Sequence, residues 1–171
     1  NVWGSLTLDD GSRIVGSRAT GLGGAVFIAS GSVRVVDSQI LNSRSESQGG
    51  ALYTLGGSVV LVNSAVVNST SGDAGGAVAS FGGSVALIAG SLLSHSRSES
   101  GQGGAVYLQS RSLSGRFTLD GSTIEDSQCT EDGGALYVRG GDVIFGGGSR
   151  ISNSRAGTVG GTLSIWGGTV T

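Results

Sequence analysis

The phrase Gly-Gly-Ala-aliphatic returns throughout this chain, and its period constrains the fold more than any other feature. It starts at Gly23, Gly49, Gly75, Gly103 and Gly133, and returns as Gly160-Gly161-Thr162-Leu163, in steps of 26, 26, 28, 30 and 27 residues. A repeat in the twenties that tolerates small insertions describes a solenoid, in which each unit buries its apolar face only against its neighbours. Glycine and serine are abundant enough to suggest a flexible chain. The hydrophobic share is nevertheless 37% and recurs in register, which predicts a packed core.

Each repeat contains three short runs rich in β-branched and aliphatic residues, separated by Gly, Ser, Asn and Asp. Such runs bounded by turn formers are strand signals. The first run yields the column Val26, Leu52, Val78, Val106, Leu136, Leu163. The second yields Leu6, Val33, Val59, Val85, Phe117, Val143, Val170, with a companion column two residues on at Leu8, Val35, Leu61, Leu87, Leu119, Phe145. The third yields Ile14, Ile40, Val66, Leu93, Ile124, Ile151. Alternation with period two puts paired columns on one face, and no segment keeps a helical period. The expected fold is all-β: a right-handed, single-stranded parallel β-helix (solenoid) of about six coils with three short strands per coil. At about 4.8 Å per coil it forms a rod on the order of 30 Å long. Residues 1–171 are read as one module. The longest repeat carries extra residues around Ser110–Gly115 and near Cys129.

Charge excludes some partners. Ten basic residues, all arginine, oppose twelve acidic ones for a net charge of −2, so the clustered positive excess of a nucleic-acid surface is missing. No apolar run reaches the roughly 18 residues of a membrane span. One cysteine, Cys129, supports neither a disulfide framework nor a zinc site, and the expectation is an incidental surface or half-buried thiol. No cofactor is expected. The chain opens and closes in mid-coil at nearly the same phase, which predicts that its partners are other coils of a longer polypeptide or further copies stacked head to tail.

Three columns stand out as candidate sites. Two residues after the third-run aliphatic lie Gly16, Asn42, Asn68, His95, Asp126 and Asn153, each followed by serine. We expect the set Asn42, Asn68, His95, Asp126, Asn153 to be a structural polar ladder of stacked amides, with His95 a substitute within it rather than a catalytic or metal residue. Next outward run Arg18, Arg44, Thr70, Arg97, Gln128 and Arg155, a mixed-charge edge that could also receive a sulfated or carboxylated polysaccharide. Flanking the first aliphatic column, Phe27, Tyr53, Tyr107 and Tyr137 form a stripe interrupted at Ala79 and Ser164. Alternation turns these aromatics outward as an exposed surface for sugar rings or another rod, unless the parity is reversed and they face the core. Carboxylates such as Asp9, Asp37, Asp120, Asp126 and Asp142 fall in different columns, whereas glycoside chemistry needs two flanking one bond. No threonine column forms the flat lattice that ice binding requires.

Gly-Gly-Ala-Val/Leu followed by Ile-x-Asn-Ser resembles the paired GGA(I/L/V) and FxxN motifs of the chlamydial polymorphic outer-membrane protein repeats, a type also present in surface proteins of other bacteria and of algae. The resemblance covers nearly the whole chain. It departs from the pattern where Ile, Val or Leu replaces Phe, where asparagine follows two rather than three residues later, and at Thr162. It implies an extracellular β-helix that serves adhesion or surface structure within a longer passenger. The resulting expectation is a non-catalytic structural or adhesive module of a cell surface or filament. A pectin-lyase-like polysaccharide lyase or hydrolase, or a carbohydrate-binding β-helix, is the alternative.

Overall fold

Successive copies of each run pair with one another. A computed structural model describes residues 3–110 and 115–171, so the extra residues at 111–114 lie outside the described part of the chain. Three parallel sheets wind around one core. The first sheet stacks the strands Val26–Ile28, Leu52–Thr54, Val78–Phe81, Val106–Gln109, Leu136–Arg139 and Leu163–Trp166. The second stacks Ser5–Leu8, Ser32–Val36, Ser58–Val62, Ser84–Ile88, Arg116–Asp120 and Asp142–Gly146. The third runs from Arg13–Val15 through Gln39–Leu41, Ala65–Ser71, Leu92–Ser98 and Thr123–Glu125 to Arg150–Ser152. The chain is therefore an all-β parallel solenoid of about six coils, with three strands to a coil.

Register explains why residue types repeat in columns. Leu6 pairs with Val33, Val33 with Val59, Val59 with Val85, Val85 with Phe117 and Phe117 with Val143, so each interior side chain rests on its counterpart one coil away. Val35, Leu61, Leu87 and Leu119 do the same two residues on, and all four are fully buried. Ile40, Val66, Leu93 and Ile124 complete the apolar interior. Burying one such side chain stabilises by about 1.5–3 kcal/mol, and stacking multiplies the effect along the rod.

The diglycine answers two steric demands. The first glycine of each pair has positive φ, from 62° at Gly160 to 70° at Gly133, a conformation that L side chains rarely adopt. A Cβ on the second glycine, as at Gly76, would overlap the carbonyl oxygen of Gly104 in the next coil and the backbone of Arg97. From Ala51 to Ala135 the alanine that follows is buried, and its carbonyl accepts two N–H bonds from the preceding coil. Ala51 N and Leu52 N both donate to Ala77 O at 2.9 Å, and the pattern repeats at Ala105 and Ala135. The repeated phrase is thus the spine that brings two backbones together where no side chain fits.

Two corners share one design. Asp37 and Asn63 at the first, and Asn42, Asn68, His95, Asp126 and Asn153 at the second, all hold φ between 46° and 56°. Asn and Asp tolerate the left-handed region better than other non-glycine residues, and Gly16 fills the same position in the first coil at φ 69°. Serine follows and turns inward. At the first corner its hydroxyl donates back to the carbonyl two residues earlier, as in Ser38 to Val36 at 2.7 Å and Ser64 to Val62 at 2.7 Å.

Candidate functional site

The polar ladder and the arginine-bearing edge are two walls of one surface. After the corner at His95, Asp126 and Asn153 the chain resumes as a parallel row in which Arg97 bridges to Gln128 and Gln128 to Arg155. Two adjoining shallow depressions open along this face. One, of about 470 Å³, is lined by Asn68, Thr70, His95, Ser96, Arg97, Asp126 and Gln128. The other, of about 380 Å³, is lined by Asp126, Ser127, Gln128, Asn153, Ser154 and Arg155. They share Asp126 and Gln128, so a continuous polar groove runs along the rod across four coils.

The ladder holds together differently from a stack of amides. Asn68 Nδ2 donates to Asn42 Oδ1 at 2.7 Å, the single amide-to-amide bond in this column among the described residues. The next neighbours are an imidazole and a carboxylate: His95 Nε2 lies 3.8 Å from Asp126 Oδ2, with both side chains open to solvent. What the column shares is its left-handed backbone, so residue choice here follows φ, and side-chain pairing is secondary. Most of these polar groups remain available on the surface.

The charged wall is uneven. Arg44 sends both guanidinium nitrogens to Glu99, Nη1 to Oε1 at 2.8 Å and Nη2 to Oε2 at 2.9 Å. The pair spans two coils and passes over Thr70, whose short side chain occupies the arginine position of the intervening coil. This hydrogen-bonded pairing raises the Arg44 pKa and holds the Glu99 carboxyl below its usual value. Arg97 and Arg155 make no salt bridge among the described residues. They border the groove with neutral Gln128 between them, and the Arg97 charge also helps to lower the Glu99 carboxyl.

No family model, curated protein or solved structure matches this chain. The chemistry of the groove therefore has to come from its own residues. Asp126 is the one carboxylate on the shared floor, and Asp120 lies elsewhere, at the end of a strand in the second sheet. His95 beside Asp126 is the arrangement that most resembles an acid–base pair.

The aromatic stripe needs correction. Phe27, Tyr53, Tyr107 and Tyr137 do turn away from the aliphatic core, but they are not an open surface: Tyr53, Tyr107 and Tyr137 are only 5%, 7% and 6% exposed. Nor is the stripe broken. Phe81, two residues after Ala79 and on the same side of the strand, inserts between Tyr53 and Tyr107. The rings run Phe27, Tyr53, Phe81, Tyr107, Tyr137 with centroids 5.4–5.6 Å apart, and Leu22, Ala74 and Ala79 pack against them. This is a second, external core, and each ring pair adds about 0.5–1.5 kcal/mol beyond its buried area.

The stack has a titration signature. Burial pushes the Tyr107 phenol up to about 12 and raises Tyr53 and Tyr137 as well. The neutral phenol is favoured in the folded state. Its contribution to stability is complete below the ordinary tyrosine value of about 10 and is lost as pH rises through about 12. Phenolate absorbance should therefore rise late and coincide with unfolding. Full ionisation of all three tyrosines near pH 10 in a still-folded protein would contradict the buried stack.

Cys129 also departs from expectation, being 8% exposed and buried. It occupies the inward position held by Ser45, Ser71 and Ser98 in other coils. Its Sγ donates to Asp132 O at 3.4 Å, and burial raises its pKa, which disfavours the reactive thiolate.

Proposed function

We propose that this chain is a non-catalytic structural or adhesive β-solenoid module, displayed at a cell surface or in an extracellular filament, and that its polar groove is the adhesive surface. One observation carries the reading: consecutive coils present hydrogen-bonding side chains at the same position, held by the same left-handed corner, along a shallow open groove. A periodic row of donors and acceptors suits an extended, repeating ligand better than a compact one. The resemblance of the GGA and Ile-x-Asn phrases to chlamydial polymorphic outer-membrane protein repeats supports the same reading and the extracellular location.

The rival reading is a polysaccharide lyase or hydrolase, and the His95–Asp126 pair beside Arg97 is the observation that favours it. A panel of immobilised glycans and matrix proteins separates the two. The proposal predicts retention on at least one surface with the ligand left intact. Turnover of any polysaccharide that disappears in Asp126→Ala or Asp120→Ala, or retention on no surface at all, would overturn it.

A further inference from the structure

The edge row has a pattern of charge that its fold makes readable. From Thr70 onward the outward residues alternate neutral, cationic, neutral, cationic: Thr70, Arg97, Gln128, Arg155. Backbone pairing keeps them in one line, Thr70 beside Arg97, Arg97 beside Gln128 and Gln128 beside Arg155. Adjacent strands lie about 4.8 Å apart, so Arg97 and Arg155 rise from the backbone about 9.6 Å apart. That separation is comparable with the length of one disaccharide in an extended chain. The cation of an earlier coil, Arg44, is held by Glu99 through two hydrogen bonds, whereas neither Arg97 nor Arg155 makes a salt bridge among the described residues and Glu99 feels Arg97 only through space.

We infer that the groove binds an acidic polysaccharide bearing a carboxylate on alternate sugars; the inference rests on the adhesive reading above. Each guanidinium presents a planar fork of N–H donors that matches a carboxylate, so Arg97 and Arg155 each engage one uronate. The sugar between them carries no charge and lies over Gln128, whose amide both donates and accepts. Asp126, in the coil between the two arginines, is a carboxylate that accepts a hydrogen bond from a sugar hydroxyl and does not face a uronate. His95 and Asn153, at the corners of the two cationic coils, line the opposite wall and reach the remaining hydroxyls. Charge thus sets the register of the ligand, and the neutral polar groups hold the sugars between the charges.

The test uses hyaluronan oligosaccharides, in which glucuronate alternates with an uncharged amino sugar, and the same polymer with its carboxyl groups reduced to alcohols. The expected result is saturable binding of hyaluronan that weakens as salt rises. Binding should fall at least tenfold in Arg97→Ala and in Arg155→Ala and be lost in Gln128→Glu, which adds a second carboxylate beside Asp126, in line with the two cations. The reduced polymer should not bind. All three side chains are exposed, so thermal melts matching the unsubstituted protein show that the variants are folded. Absence of hyaluronan binding, equal binding of the reduced polymer, or unchanged affinity in the variants would each overturn the inference. In those cases retention on some other glycan or matrix surface leaves the adhesive reading standing. Polysaccharide cleavage would instead overturn the adhesive reading itself.

Discussion

Leu61→Asp is expected to unfold the central coils. Leu61 is fully buried, pairs with Val35 on one side and Leu87 on the other, and has only aliphatic neighbours in its column. A carboxylate there has no partner and must either ionise in an apolar interior or take up a proton at the expense of its normal solvation. The loss should exceed about 4 kcal/mol, a large share of the 5–15 kcal/mol that stabilises most domains. Because each coil is held by its neighbours, damage at the third coil removes support from both sides. Circular dichroism melting should show loss of the cooperative transition. Glu46→Ala, at an exposed position, should change stability by less than about 0.5 kcal/mol. Equal melting temperatures for the two variants would contradict the inward and outward assignment.

Gly76→Ala should be nearly as damaging, for a different reason. The backbone at Gly76 does not have positive φ, so alanine is conformationally allowed. The cost is purely steric: the added methyl carbon runs into the Gly104 carbonyl and the Arg97 backbone, neither of which can yield without separating two coils. About 3 kcal/mol is expected. Gly56 also lacks positive φ, but nothing lies within 4 Å of a Cβ built there, and Gly56→Ala should stay within about 0.5 kcal/mol. Denaturant titrations of the pair isolate the stacking contact from glycine's conformational freedom. Equal losses would show that the diglycine is selected for flexibility.

Much of the architecture was legible because the signals are one-dimensional. The GGA period sets the coil, and alternation around Val26, Leu52 and Val78 assigns their faces; both are properties of the chain read in order. The coverage of Tyr53 and Tyr107 was harder to foresee, since Ala79 interrupts their column. The signal that could have found it was present: Phe81 has the same parity as Ala79 and sits two residues on. The Asn42–Asn153 column was legible as a structural column, but the left-handed backbone behind it was not, because amide stacking and left-handed φ favour the same residues. Only His95 and Asp126, which cannot join an amide ladder yet keep the conformation, separate the two explanations. The groove was invisible in sequence for a geometric reason. It joins residues on both sides of a corner, and no periodicity reports the angle between two strands. Glu99 was legible as a carboxylate near the arginine column, but its pairing with Arg44 was not, since the pair skips a coil and depends on the shortness of Thr70.

The measurement that bears most directly on function is the fate of a bound polysaccharide. Incubated with the protein under conditions where it is retained, the ligand should be recovered with its chain length and mass unchanged by mass spectrometry, after extended incubation as after brief. Shortened or unsaturated fragments that accumulate with time, and whose formation ceases in Asp126→Ala, would contradict the account and make the groove an active site.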